Sequence, residues 1–209
     1  MESFIQKQKR ALKILATLQR HNPTAHIALK YGNDIQLLVA VILSAQCTDK
    51  KVNEVTTGLF KKYRTAKDFA EVKPRVFEQE IKSTGFYHAK AKNIIGAANI
   101  IQQQYKGKLP RTMANMLGLP GVGRKTANIV LGNAFGIVEG IPVDTHVRRL
   151  AQHFGWTTKN DPDKIEQDLM KLLPKRWWAK APYLLIDYGR TICTARKCGC
   201  KNFYLRDIV

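Results

Sequence analysis

The fold is decided by the stretch LGLPGVGRKTANIVLG, residues 117–132. Gly118 and Gly123 have the separation of the two glycines in the phosphate-binding P-loop, G-x4-G-K-[ST], which directly follows a strand. Arg124 occupies the position that the P-loop gives to lysine, and the preceding segment, RTMANMLG, has the composition of a helix. Because the register and the preceding element both differ, we exclude the P-loop.

The same residues suit a tight hairpin between two helices. Pro120 fixes one φ angle, and Gly121 and Gly123 permit turn conformations closed to other residues. If the second helix begins near Arg124, its unpaired backbone N–H groups form a nest that binds a phosphate oxygen. Gly121, Val122, Gly123 and Arg124 are therefore predicted to contact a nucleic-acid backbone, a contact that reads no bases. An ordinary interhelical turn with glycine caps explains this stretch, taken alone, equally well.

The rest of the chain also shows helical spacing, and alternating strand patterns hardly occur. Residues 35–46, IQLLVAVILSAQ, are apolar on nearly all sides, which predicts a buried central helix. Residues 88–105 predict a long helix that ends before KGKLP, and Asp161 with Pro162 is typical of an N-cap and first turn. The sequence therefore predicts an all-α fold of about ten helices.

The chain is strongly basic. Its 209 residues include 35 Lys and Arg against 16 Asp and Glu, a formal net charge of +19. This excess of positive charge indicates a polyanionic partner, and nucleic acid is the first candidate. The alternatives are an anionic membrane and a source organism whose proteins are basic in general. We find no signal-peptide pattern and no apolar run of about 18 residues, so we expect a cytoplasmic protein without disulfides, associated with the nucleoid of a bacterium or archaeon.

Four ordered segments resemble the endonuclease III family of helix-hairpin-helix DNA glycosylases. They are LLVAVILSAQCTDKKVN at 37–53, STGFYHAKAKNI at 83–94, the hairpin LPGVGRKTA followed by VDTHV, and YGRTICTARKC at 188–198. The resemblance extends over essentially the whole chain. It implies a base-excision-repair enzyme that removes oxidised pyrimidines and then cleaves the strand as an AP lyase.

The resemblance assigns the chemistry to two residues. The amine of Lys125 would attack C1′, release the base and form a Schiff base that leads to β-elimination. The carboxylate of Asp144 would stabilise the oxocarbenium-like sugar. The alternatives are a phosphate-binding role for Lys125 and a helix N-cap at Asp144.

Further residues are implied to contact DNA once the damaged nucleotide leaves the stack. Gln46 would meet the orphaned base, and Phe86, where many relatives have leucine, would insert beside it; the alternative for Phe86 is a buried core ring. The DNA-binding set is completed by Lys90, Arg148 and the hairpin, although each cation alone suits a solvated surface. Asp49 and His146 are predicted to line the base pocket, with a satisfied core histidine as the favoured alternative for His146.

The cysteines depart from the family pattern. Most of the family carries C-x6-C-x2-C-x5-C, which holds a [4Fe-4S] cluster. Here Cys193, Cys198 and Cys200 give C-x4-C-x-C, and the fourth cysteine, Cys47, is in the segment that carries Gln46. Because a cubane cluster usually takes four thiolates, we predict that no cluster is bound. The remaining three are expected to be vestigial, and Zn²⁺ bound together with a histidine is the alternative.

The implied architecture has two helical domains with a DNA-binding cleft between them. Residues 26–137 would form a six-helix domain with the hairpin, and residues 1–25 plus 138–209 the second domain, with a degenerate cluster region at 193–209. We expect a monomer that binds double-stranded DNA containing damaged bases or abasic sites. Two other interpretations stay open: a monofunctional mismatch or adenine-type glycosylase, and a non-catalytic helix-hairpin-helix module.

Overall fold

The computed structural model describes residues 2–196 and 204–208. Within these residues the chain forms helices joined by turns, which confirms the all-α prediction. In chain order the α-helices are α1 Phe4–His21, α2 Asp34–Leu43, α3 Asp49–Lys62, α4 Ala66–Glu71, α5 Pro74–Ile81, α6 Tyr87–Tyr105, α7 Met113–Leu117, α8 Arg124–Phe135, α9 Thr145–His153, α10 Pro162–Leu172 and α11 Ala181–Thr191. Short 3₁₀-helices occupy Lys82–Thr84 and Lys175–Trp177.

The chain divides into two compact units. Residues 28–139 form one, here called the hairpin unit, and residues 1–27 with 140–209 form the other, here called the terminal unit. The hairpin unit contains seven α-helices, α2 to α8, where the sequence analysis expected six. The difference comes from short helices such as α4, which is only six residues long and depends on a Thr65–Asp68 capping box rather than on a long apolar stripe.

The hairpin unit is built around α2 and α6. Every residue of α2 from Ile35 to Leu43 is buried, as the apolar run predicted, and α2 packs against α8. Asn33 caps α2 by accepting the Gln36 amide. α6 packs against α4 and α5 and begins at Tyr87, directly after a turn. These two helices therefore set the positions of the turns in which Gln46 and Phe86 lie, directly after α2 and directly before α6.

The core of the terminal unit joins α1 to the C-terminal half of the chain. Apolar residues of α1 pack with α9, α10 and α11 in one cluster, which includes Leu15, Val147, Leu169 and Leu185. Leu205 is completely buried in the same cluster, and Tyr204 stacks on His21 of α1 with ring centroids 3.7 Å apart. The described part of the C-terminal segment is thus held by aromatic and aliphatic packing.

Candidate nucleic-acid interface and catalytic residues

The hairpin between α7 and α8 presents an open helix N-terminus. Gly121 adopts a φ of +76°, and Val122 donates its amide to the Leu119 carbonyl, which closes the turn. The N-cap of α8 is Gly123, in extended geometry, and glycine has no side chain with which to cap. The helix therefore begins without a side-chain cap, which is the arrangement by which a phosphate-binding hairpin presents a helix N-terminus to an anion.

The hairpin rests on α6. A Cβ at Gly121 would lie 2.8 Å from Cβ of Asn93, and a Cβ at Gly96 would lie 3.3 Å from Cγ of Pro120. Asn93 and Gly96 are three residues apart and so face the hairpin from the same side of α6. This contact surface on α6 cannot be predicted from the sequence, because a single asparagine and a single glycine inside a helix give no local signal of what packs on them.

Lys125 is exposed in the first turn of α8. It directly follows Arg124, which is half-buried, and precedes Thr126, which lines a cavity beside the hairpin. If the N-terminus of α8 binds a phosphate, as predicted, an exposed amine one residue into the helix would lie beside the sugar–phosphate backbone. This position suits the nucleophile predicted from the sequence, and it also suits a phosphate contact.

The cavity beside the hairpin has a volume of about 190 Å³. Gln46 and Phe86 line it together with Gly121 and Thr126, so four neighbouring segments of the hairpin unit meet there. Gln46 has a φ of 52° and Phe86 a φ of 48°. Both values lie in the left-handed region of backbone conformation, which residues other than glycine rarely adopt. Strained backbone of this kind clusters at ligand-binding sites.

Phe86 is 65% exposed, which excludes the alternative of a buried core ring. An exposed aromatic side chain on a strained turn at the rim of a cavity is free to enter a gap in a base stack. Its insertion into DNA stays a prediction.

Lys90 is the residue that the sequence analysis placed wrongly. It was predicted to contact DNA, but it is only 4% exposed. Its Nζ donates hydrogen bonds of 2.8 Å to the carbonyl oxygens of both Leu43 and Thr84. Burial lowers the pKa of the Lys90 amine from its usual value. Because the amine is held inside the hairpin unit, it does not reach the surface to meet a phosphate.

Asp144 lies in the terminal unit, where it is the N-cap of α9. Its Oδ1 accepts a hydrogen bond of 2.8 Å from the Val147 amide, so the helix N-cap foreseen as an alternative for Asp144 is observed.

The other predicted site residues of the two units differ in exposure. Arg148 is exposed on α9. His146 is half-buried, and its Nδ1 would be 3.0 Å from a Cβ at Gly189 of α11, so the imidazole packs on that helix. Asp49, in the hairpin unit, is half-buried in the first turn of α3.

Comparison with known proteins identifies the family. Residues 39–175 match the model of the HhH-GPD superfamily of base excision DNA repair proteins. The chain is 48% identical to endonuclease III of Synechocystis over 96% of its own length and 91% of that protein's, and 37% identical to endonuclease III of Escherichia coli over 97% and 95%. The chain belongs to the endonuclease III family.

Solved structures of the endonuclease III family agree with this assignment. The chain matches a non-covalent endonuclease III–DNA complex with a TM-score of 0.91 and 39% identity over 96% of this chain and 94% of that one. A trapped endonuclease III–DNA covalent intermediate matches equally well. A thermostable thymine-DNA glycosylase, 22% identical with a TM-score of 0.83, shares the fold.

The cysteine region of this endonuclease III family member offers a poor set of ligands for a four-thiolate cluster. Cys193 is buried in the terminal unit, and Arg149 donates to its Sγ at 3.5 Å. Cys47 belongs to the hairpin unit, and Cys198 and Cys200 lie outside the described residues. In the described residues no three His, Cys, Asp or Glu side chains are grouped as metal ligands would be. The three cysteines near the C-terminus do not fit the four-ligand requirement, and the absence of a cluster stays a prediction.

No helix within residues 2–196 and 204–208 combines the length and the apolar character needed to cross a bilayer.

Proposed function

We propose that this protein is a base-excision-repair DNA glycosylase that removes oxidised pyrimidines and cleaves the resulting abasic site as an AP lyase. One observation carries the proposal. An exposed lysine, Lys125, stands in the first turn of an uncapped helix N-terminus, in a chain that is 39% identical over 96% of its length to an endonuclease trapped in covalent linkage with DNA.

The chemistry proceeds through the amine of Lys125. The neutral Nζ attacks C1′ of the damaged nucleotide, the N-glycosidic bond breaks, and its electron pair leaves with the base, which takes up a proton. Loss of a proton from nitrogen and opening of the sugar ring give an iminium between Lys125 and C1′. The iminium acidifies the C2′ proton; its removal expels the 3′ phosphate by β-elimination, and water then hydrolyses the iminium to regenerate the amine.

Asp144 supports the first of these steps. As C1′ develops oxocarbenium character, a carboxylate beside it lowers the energy of the transition state by electrostatic stabilisation. Its Oδ1 is engaged by the Val147 amide, which fixes the orientation of the carboxylate before substrate arrives. The N-cap and the catalytic role are therefore compatible in one side chain.

The remaining residues bind and deform the duplex. The amides of the hairpin residues 121–124 hold a phosphate without reading bases, Arg148 contributes charge, and Gln46 and Phe86 fill the gap left by the extruded nucleotide. Asp49 and His146 are assigned to the pocket that receives the base. The partner is double-stranded DNA with damaged bases or abasic sites, and the net charge of +19 supports this. We further infer that the protein acts as a monomer on the bacterial or archaeal nucleoid, in the cytoplasm.

Borohydride trapping tests the proposal. The protein is incubated with a duplex that bears thymine glycol or an abasic site, and borohydride reduces the Schiff base to a stable adduct. We expect a covalent protein–DNA band that disappears in Lys125→Ala. Base release without trapping would instead indicate a monofunctional glycosylase, and binding without either reaction a non-catalytic hairpin module.

Lys50→Ala is the matched control for the trapping experiment. Lys50 is an exposed lysine of the same hairpin unit, in the first turn of α3, and has no role in the proposed reaction. Its replacement removes the same charge and is expected to leave the adduct at the wild-type level. Loss of the adduct in both variants would show that net charge, rather than the Lys125 amine, governs the reaction.

A further inference from the structure

The buried Lys90 amine joins two segments that are far apart in sequence. Its acceptors, the carbonyls of Leu43 and Thr84, are 41 positions apart along the chain and belong to the last residues of α2 and of the 3₁₀-helix Lys82–Thr84. Burying an ammonium group is costly unless it is hydrogen-bonded. The two 2.8 Å bonds supply that compensation, and both are to backbone atoms, so they fix the course of the chain at both segments.

Both segments lead directly into the strained residues of the cavity. Gln46 follows Leu43 by three residues, and Phe86 follows Thr84 by two. Each has a left-handed φ, and each lines the cavity that Lys90 also lines. The Lys90 amide donates to the Phe86 carbonyl at 3.0 Å, which ties the same lysine to Phe86 through the backbone as well.

Backbone in a sparsely populated conformation persists only where its surroundings over-determine it. The Lys90 amine stabilises both turns, because it is hydrogen-bonded to Leu43, just before the turn with Gln46, and to Thr84, just before Phe86. Without the amine, two buried carbonyls would lose their donor and the turns could relax independently.

We propose that Lys90 is a positioning residue, whose amine holds Gln46 and Phe86 at the separation required to enter a duplex where a nucleotide has left the stack. This inference rests on the proposed function, because it takes Gln46 and Phe86 as the residues that fill that gap. Lys90 touches neither the sugar nor the base; it acts through the two turns.

The test uses a duplex with a tetrahydrofuran abasic analogue opposite 2-aminopurine, whose fluorescence rises when the base is unstacked. No chemistry occurs on this analogue, so the readout does not depend on Lys125. We expect wild-type protein to raise the fluorescence, and Lys90→Met, although still bound to the duplex, to give little of that rise. Lys90→Gln, which keeps a shorter donor, should give an intermediate signal.

The control is Lys61→Met, an exposed lysine at the end of α3 in the same unit. It removes an equal charge and should leave the fluorescence rise intact. An equal rise in Lys90→Met and wild type would overturn the inference, as would a Lys90 variant that fails to fold, because the lysine would then support the unit as a whole rather than the two turns. No rise in the wild type would also overturn it.

A second comparison separates this inference from the proposed function. Cleavage of an abasic site is measured in a duplex and in single-stranded DNA, where no base stack has to be opened. We expect Lys90→Met to slow duplex cleavage by about ten- to a hundredfold, the loss that a misplaced group can cause, while single-strand cleavage stays near the wild-type rate. Equal loss on both substrates would overturn the positioning role. Absence of a trapped adduct in the wild type would instead refute the proposed function, and the fluorescence comparison would still decide the role of Lys90.

Discussion

Asp144 has an extended backbone, and its carboxylate accepts the Val147 amide, as N-cap side chains do. The proposed reaction needs the negative charge of this side chain, while the cap needs only an acceptor oxygen. Asparagine has the same shape and an oxygen at the same place but no charge. The two roles of this residue can therefore be separated by substitution.

We expect Asp144→Asn to keep its stability and its affinity for abasic DNA and to lose most of its turnover. Asp144→Ala should lose turnover and also about 1 kcal/mol of unfolding free energy, since alanine cannot cap. Urea denaturation and single-turnover cleavage measure the two effects. Full activity in Asp144→Asn would show that the reaction does not need the carboxylate charge of Asp144.

At the scale of elements, the hairpin depends on how closely it approaches α6. Gly121 has both a left-handed φ and no room for a Cβ, because Asn93 would be 2.8 Å away. Gly123, two residues further on, has a φ of −90° and nothing within 4 Å of a Cβ. The two glycines look equivalent in the sequence, but only Gly121 is required to be glycine by its packing against α6.

Gly121→Ala and Gly123→Ala are expected to differ in stability. The first should lower the unfolding free energy by about 1–3 kcal/mol, through the disfavoured φ and the clash with Asn93, and should weaken DNA binding as the hairpin shifts. The second should unfold near the wild-type midpoint. Thermal denaturation of the two variants side by side measures the difference, and equal midpoints would contradict the requirement at Gly121.

The end of α3 is tied to α5 through Tyr63, whose hydroxyl donates to Oε2 of Glu80 at 2.9 Å. Burial and the Glu80 carboxylate raise the pKa of Tyr63 from its usual value near 10 to about 12. Because the folded state holds the proton more tightly than the unfolded state, the stability from this group is complete below pH 10 and is lost as the pH rises from 10 to about 12.

Tyr63→Phe removes this titration. We expect the wild type to lose more stability than Tyr63→Phe as the pH rises from 10 to about 12, the window set by the two pKa values. Urea midpoints measured at intervals of pH give the comparison. Parallel curves for the two proteins would show that the Tyr63–Glu80 contact does not govern the alkaline loss.

At the scale of the whole molecule, the C-terminal part of the terminal unit is where the cysteine spacing departs from the family pattern. Tyr204 stacks on His21, and Leu205 is fully buried among residues of α1, α9, α10 and α11. This packing anchors Tyr204 and Leu205 to α1 and to the core of the terminal unit.

Iron content tests the prediction about the cluster. Freshly purified protein is expected to lack absorbance at about 400 nm and to contain no stoichiometric iron, since only three cysteines are near the C-terminus. Chelator treatment should leave its thermal midpoint unchanged. A brown protein with about four irons per chain would contradict the prediction.

The sequence by itself determined the all-α fold, the buried central helix and the hairpin, because each is written in local spacing: apolar periodicity for the helices and Pro120, Gly121 and Gly123 for the turn. The apolar run predicted that the central helix extends to residue 46, whereas α2 ends at Leu43 and Gln46 is exposed in the turn that follows. Only the tertiary structure decided that Lys90 is buried and Phe86 exposed. Both are among the residues that the sequence assigned to DNA contact, yet the Lys90 amine is bonded to the carbonyl of Leu43, which is 47 positions away at the end of α2, as well as to the carbonyl of Thr84. Burial depends on which distant segments pack around a side chain, and local pattern carries no record of that.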